Sequence, residues 1–365
     1  MNTEFSVELR AKLLSCRKND WQKNWDFRRF GANKDRSLIG RLKTTTKKIL
    51  EAMGLRTNRT LSTISAHERD MQWVYSHLVD EESRELLVNL IAYRVLGYRK
   101  VKLSLNTPSY WERLELLDSS ADSDDSIALD FRDWRLNRFD LADEGYPIQV
   151  YARSTGVFTQ LLLQQYRCIT SHHDIEVAAG DTVIDAGACY GDTALYFAHR
   201  VGESGQVFSF EFMPNNIKIF EENLALNSEL APRIEIISNP LWSISGLKLF
   251  VEGVGPASRV TSARKDASSI EVQTLCIDDL VSSKNLEHID FIKMDIEGAE
   301  LEALKGAEDV IRRCKPKLAI SVYHNLHDFW AIPLWVESLD LGYCFYLRHF
   351  TIHAEETVLF AEVPC

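Results

Sequence analysis

No run in this sequence approaches the ~20 consecutive apolar residues that a membrane-spanning helix needs. The first ten residues lack the apolar core and small-residue cleavage site of a secretory signal. Seven cysteines, at 16, 168, 189, 276, 314, 344 and 365, are scattered, and no two form a Cys-x-x-Cys pair. That argues against a disulfide framework and against a thiolate zinc site. No internal repeat is visible. The expectation is a reduced, cytoplasmic protein. What is present is ordinary globular material: 365 residues, 45% hydrophobic and 26% charged, with room for about two domains.

Charge is unevenly distributed. The chain carries a net −11, yet residues 1–60 hold 15 Lys/Arg against 6 Asp/Glu. A basic arm on an acidic body suits either a polyanionic partner or, more simply, docking on its own body or on a partner subunit. Three zones follow. Residues 1–60 form a basic helical arm, with Trp21, Trp25 and Phe27 interleaved and a helix expected over Leu38–Met53. Residues 61–150 form a helical or mixed accessory region that could serve as a lid or acceptor-binding wall. Within it, Asp80 opens a helix whose Leu86, Leu87, Leu90, Ile91, Val95 and Leu96 recur at helical spacing, and Gly97 is placed to end it. The acidic run 118–126 reads as an exposed loop. It lacks the central glycine and distal glutamate of a calcium loop.

Residues 151–365 alternate short β-branched runs with amphipathic helices. Strands are expected at 182–185, 206–211, 234–237, 289–295, 317–322, 343–347 and 357–361. Helices are expected at 192–201, 214–227, 299–314 (interrupted at Gly306) and 332–339. This alternation predicts an α/β fold with a doubly wound, mostly parallel sheet. The last two strands have no helix between them and should pair antiparallel at one edge. Two further strands, 247–251 and 270–275, are inserted into the third crossover.

The run Val183-Ile-Asp185-Ala-Gly187-Ala-Cys-Tyr-Gly191 follows a strand and opens a helix. Its spacing is Gly-x-x-x-Gly rather than the Gly-x-Gly-x-x-Gly of dinucleotide sites. Asp185 and Asp192 beside the turn would repel a pyrophosphate, whereas an acidic turn suits a cationic ligand such as S-adenosylmethionine. Glu211 ends the next strand, where a carboxylate can accept hydrogen bonds from a ribose diol. The alternative is that it caps the following helix. Ser238, Asn239 and Leu241 follow the third strand, on the adenine side.

In Asp295-Ile-Glu297-Gly298-Ala-Glu300, two acids sit two apart at a strand's carboxyl end, the rim where such sheets bind ligands. Glu300 fits the first turn of the next helix. The neighbouring strand ends in Val322-Tyr323-His324-Asn325. An acid pair facing His324 is a candidate base or an oxygen-rich cation clamp. His349 and His353 flank the final hairpin and are weaker candidates.

The glycine turn, the run Lys293-Met-Asp-Ile-Glu-Gly-Ala-Glu300 and the tail Tyr323-His-Asn…Asp328…Tyr346-Leu-Arg-His…Glu356-Thr-Val-Leu-Phe together resemble the FkbM family of S-adenosylmethionine-dependent methyltransferases, over about residues 150–363. The resemblance implies a seven-stranded Rossmann-like methyltransferase sheet with an antiparallel edge strand, preceded by a largely helical N-terminal region. It implies an O-methyltransferase acting on a sugar, glycan or related natural-product hydroxyl. Cofactor contacts are then expected at Asp185, Gly187, Ala188, Tyr190, Gly191, Glu211, Phe212, Asn239, Leu241 and Asp295. The catalytic set is Asp295, Glu297 and His324, with Asp295 or His324 as base. Magnesium is a candidate cofactor, and the same three residues would hold it. Ser243 departs from the acid that many relatives carry, which puts an adenine-edge contact in doubt. The expected partner is a small-molecule or glycan acceptor, with no nucleic acid, and self-association through the N-terminal region is considered. The competing readings are a nucleic-acid methyltransferase and a non-catalytic scaffold that keeps the fold.

Overall fold

The computed structural model describes residues 3–18, 26, 29, 59–129, 134–170, 174–253, 255, 258–261 and 270–364. The helix expected over Leu38–Met53, and Trp21, Trp25 and Phe27, lie outside the described residues. The chain divides into two compact units. The first comprises Met1–Thr107 with Thr351–Glu355, and its described elements are the helices Glu4–Arg17, Arg59–Ala66, Glu68–His77 and Glu81–Leu96. The last of these begins as the sequence predicts. The Asp80 carboxylate accepts from the Ser83 N–H at 2.8 Å, and Gly97 ends the helix at φ +83°. Among the described residues no helix is long and apolar enough to cross a membrane.

The second unit comprises Pro108–Phe350 with Glu356–Cys365. It opens on the helix Pro108–Ser120 and a small antiparallel sheet of β1 (Asp122–Ala128), β2 (Arg135–Asp140) and β3 (Gln149–Ala152). The exposed loop expected at 118–126 is therefore corrected: the helix runs to Ser120 and most of the remainder is β1. Asp118, Asp122 and Asp124 are exposed as expected, but Asp125 accepts from Arg138 at 3.0 Å and from the Tyr151 hydroxyl at 2.7 Å. After a short hairpin of β4 (Cys168–Ile169) and β5 (Asp174–Ile175), the main sheet begins with β6 (Thr182–Ala186) and β7 (Gln206–Phe210), followed by β8 (Ile234–Ile237). Then come β9 (Lys248–Glu252) and β11 (Glu271–Gln273), the two strands expected within the crossover, and between them β10 (Arg259–Thr261), which was not expected; the three form a sheet of their own. The main sheet resumes with β12 (Phe291–Met294), β13 (Lys317–Ser321), β14 (Cys344–His349) and β15 (Thr357–Glu362).

The order across the seven strands is β14-β15-β13-β12-β6-β7-β8, parallel from β13 to β8, with β15 antiparallel to both its neighbours. This is the doubly wound sheet expected from the sequence, with its antiparallel pairing at one edge. The strands are near-continuous apolar runs because both faces are covered. Val183, Ile184, Phe291 and Ile292 are fully buried, each worth roughly 1.5–3 kcal/mol of burial. Helices Asp192–Val201 and Pro214–Leu226 cross over on one side of the switch. On the other side, the predicted interruption at Gly306 splits one helical stretch into Glu300–Lys305 and Glu308–Cys314. A Cβ at Gly306 would sit 2.2 Å from the Trp242 carbonyl oxygen. The chain leaves β6 in one direction and returns through β12 on its other side. The carboxyl ends of these two adjacent strands therefore form the switch point at which such sheets bind ligands.

Candidate active site

The loop after β6 is shaped by close backbone approach. The Gly187 and Ala188 N–H groups donate to the Phe210 carbonyl at 3.1 and 3.0 Å, and the Asp295 N–H donates to the Ala186 carbonyl at 3.0 Å. Gly187 lies at φ +84°, and a Cβ there would fall 2.0 Å from the Asp295 carbonyl oxygen. Only glycine fits. At Gly191, also at φ +84°, a Cβ would meet the Phe220 ring at 2.1 Å.

Gly187, Glu211, Phe212, Asn239, Leu241, Asp295 and Glu297 line one pocket of about 570 Å³, including the solvent space at its mouth. It opens at the carboxyl ends of β6, β7, β8 and β12. Asp185, Ala188, Tyr190, Gly191 and His324, expected at the site, are not among the residues that line it. Asp185 is fully buried and occupied within the protein. Its Oδ1 lies 2.9 Å from the Lys293 ammonium, and its Oδ2 accepts from the Thr193 hydroxyl at 2.9 Å and the Ser209 hydroxyl at 3.3 Å. Lys293, itself 1% exposed, also donates to the Gly187 carbonyl at 2.8 Å. A buried ion pair thus ties β12 to β6 and braces the loop. Tyr190 packs with Leu136 and Ile219 in a small apolar cluster, and Ala188 with Ala194 and Phe220 in another. Asp192 is buried at the start of the helix Asp192–Val201, and that burial pushes its carboxyl pKa up to about 6.

Glu211 serves the following helix while it faces the pocket. Its carboxylate accepts from the Met213 N–H at 2.7 Å and from the Asn216 amide at 3.1 Å, and burial raises its pKa. Asn239 donates to the Gln273 carbonyl at 2.9 Å, which fixes the pocket wall after β8. Ser238 is exposed. Ser243 turns away to donate to Glu302 at 3.0 Å.

The acids at the end of β12 surround His324. Its Nδ1 lies 2.9 Å from Glu300, and its Nε2 lies 3.4 Å from Asp295 and 3.8 Å from Glu297. Neither ring nitrogen meets hydrogen-bond geometry, so these contacts act as ion pairs. Burial opposes the imidazolium, but Glu300 first and then Asp295 and Glu297 outweigh it, and the His324 pKa is pushed up to about 10. Burial raises the Glu297 carboxyl pKa. Glu297 sits at φ +57° before Gly298 at φ +96°, where a Cβ would lie 2.7 Å from the Asn325 amide. Glu300 closes this turn by accepting from the Ile296 N–H at 2.8 Å. One oxygen each from Asp295 and Glu300 and one nitrogen of His324 lie within 4.8 Å of one another.

Two groups that sequence reasoning missed reach Asp295. Tyr323 donates to its Oδ1 at 3.0 Å, and Tyr166 to its Oδ2 at 3.3 Å. Tyr323 adjoined the recognised run, which was the available signal; Tyr166 carried none. The other histidine candidates lie elsewhere. His349 contacts the Thr357 hydroxyl at 2.9 Å across the β14–β15 pair. His353 belongs to the first unit, where it contacts Tyr93 at 3.2 Å and Asp26 at 2.8 Å.

A glycine turn after the first parallel strand, an acid after the second and a pocket at the switch point together form a Rossmann-like α/β domain with a ligand pocket at the carboxyl ends of its strands. Residues 185–349 match the family model described as the Methyltransferase FkbM domain. The likeness read from the sequence is thereby borne out over that segment. Methyltransferase sdnD of Sordaria araneosa is 26% identical over 178 residues, which is 40% of this chain and 68% of that protein. The crystal structure of Methyltransferase FkbM from Methylobacillus flagellatus KT shares the fold at a TM-score of 0.51 and 19% identity. The match covers 82% of this chain but only 60% of that one. The O-methyltransferase from Bacillus cereus, in complex with SAH, is more distant at a TM-score of 0.36 and 14% identity, covering 61% of this chain and 86% of that one.

Proposed function

We propose that the protein is an S-adenosylmethionine-dependent O-methyltransferase acting on a hydroxyl of a sugar, glycan or related natural product. The observation that carries this reading is the pocket that Gly187, Glu211, Asp295 and Glu297 line together. Glu211 offers a carboxylate to the ribose diol of the cofactor, and Asn239 and Leu241 flank the adenine. Asp295 and Glu297 face the reacting centre. Bound there, S-adenosylmethionine would supply a methyl group on a sulfonium that departs as a neutral thioether with the carbon–sulfur electron pair, and Asp295 would take the proton that the acceptor hydroxyl gives up. A positioned base of this kind contributes ~10²–10⁴-fold. With its pKa at about 10, His324 is an imidazolium at neutral pH and so is a poor base. Its role is to hold the acids in place. Glu297 orients the acceptor.

Magnesium at Asp295, Glu297 and His324 is the weaker reading. Magnesium takes an octahedral set of oxygens, several of them water. Here an imidazole ion-paired to three acids occupies the middle of the cluster, and these donors fit a bound proton better. Chelation followed by magnesium add-back should leave activity unchanged.

The test is transfer of tritium-labelled methyl from S-adenosylmethionine into an extract of a strain lacking the gene, with mass spectrometry locating the added methyl group. Label on a glycan or natural-product oxygen supports the proposal. Label on nucleic acid refutes the acceptor class, and no binding of the cofactor refutes the enzyme.

A further inference from the structure

Both oxygens of Asp295 are held by phenols, and the two phenols come from distant parts of the chain. Tyr323 follows β13, on the strand beside Asp295, and donates to Oδ1 at 3.0 Å. Tyr166 lies 129 residues before Asp295, in the segment after the π-helical turn Val157–Leu162, and donates to Oδ2 at 3.3 Å. That segment precedes residues 185–349, so the family-matched stretch supplies only one of the two donors.

Tyr166 is built in firmly. It is 1% exposed, its ring packs on Phe197 with centroids 5.8 Å apart, and the Lys293 ammonium sits 5.3 Å from its ring centre. A buried tyrosine whose hydroxyl is aimed at a half-buried carboxylate spends its one donor there. Burial raises both phenol pKa values far above the ordinary tyrosine range, so both stay neutral and donate.

A carboxylate on a strand end can rotate about its χ angles. Two donors on opposite oxygens remove that freedom and fix the plane of the group. Of the roughly four lone-pair sites of the carboxylate, the two phenols take two and His324, 3.4 Å from Oδ1, faces a third, which leaves one for the pocket that Asp295 lines. Fixing a reacting group in an attack geometry is where alignment gains rate, and an error of about 1 Å can cost roughly 10²-fold.

We propose that Tyr166 and Tyr323 are positioning residues that clamp the Asp295 carboxylate in the orientation needed to receive the acceptor's proton. The inference rests on the reading of Asp295 as base. It assigns a catalytic purpose to a residue outside the family segment.

The experiment uses the full chain, with tritium-labelled S-adenosylmethionine as donor and the deletion-strain extract as acceptor. Tyr166→Phe and Tyr323→Phe keep the rings and remove only the hydroxyls. Each should lower maximal turnover by roughly 10–100-fold while the cofactor Kd and the apparent acceptor KM stay within about twofold. In an Asp295→Asn background neither substitution should lower the residual turnover further, because each acts through Asp295. Two results would overturn the clamp: wild-type turnover in both phenylalanine variants while Asp295→Asn is impaired, or a full multiplicative loss in the Asp295→Asn background. The first leaves the base assignment standing. Wild-type turnover in Asp295→Asn itself removes the base and the clamp together.

Discussion

Asp295→Asn keeps the side chain's size and removes its capacity to take a proton. Turnover is expected to fall ~10²–10⁴-fold. Cofactor affinity measured by calorimetry should not change; equal losses in both would reassign Asp295 to cofactor binding. His324 makes a separate prediction about pH. Its pKa rises from 6.5 to about 10 on folding, so its contribution to stability is complete below pH 6.5 and is lost as pH rises through 10. Urea unfolding across that window should show stability falling in the wild type, and a flatter profile in His324→Gln. The same slope in both would mean that the three acids do not hold an imidazolium. Candidate residues of this kind stood out when they lay within one short run, as Asp295 and Glu297 do; Glu300 in the same run read only as an acid of the next helix's first turn. Tyr166 did not stand out, because a contact 129 residues away leaves no trace in local spacing.

At the scale of elements, Lys293 and Asp185 join the two strands of the switch point. Lys293→Met would leave a fully buried carboxylate without its cation, an expected loss of ~3–5 kcal/mol in chemical unfolding. A loss below about 1 kcal/mol would show that the pair does not brace the loop. Element order was readable from the alternation of apolar strands and amphipathic helices. Strands buried on both faces have little freedom in composition, so β6, β7, β12 and β13 announced themselves. The stretch 118–126 did not. Most of its acids are solvated as they read, yet the stretch is helix and strand, and Arg138 and Tyr151 satisfy Asp125 from the neighbouring strands β2 and β3. Asp185 was expected to contact the cofactor; its burial under Lys293 was not legible, since that depends on strand β12 lying next to β6, 108 residues apart in sequence.

For the whole molecule, the claim is that one pocket at the switch point takes S-adenosylmethionine. A bound ligand stabilises the folded state by mass action, so cofactor at a hundredfold excess over its Kd should add about 2.7 kcal/mol and raise the melting temperature. The most direct measurement is calorimetric titration of S-adenosylmethionine into the wild type and into Glu211→Ala. The account predicts saturable one-to-one binding in the wild type and a Kd raised roughly 10–100-fold in the variant, the value of hydrogen bonds to a charged acceptor. No heat of binding in the wild type, or identical affinity in the two proteins, would contradict it.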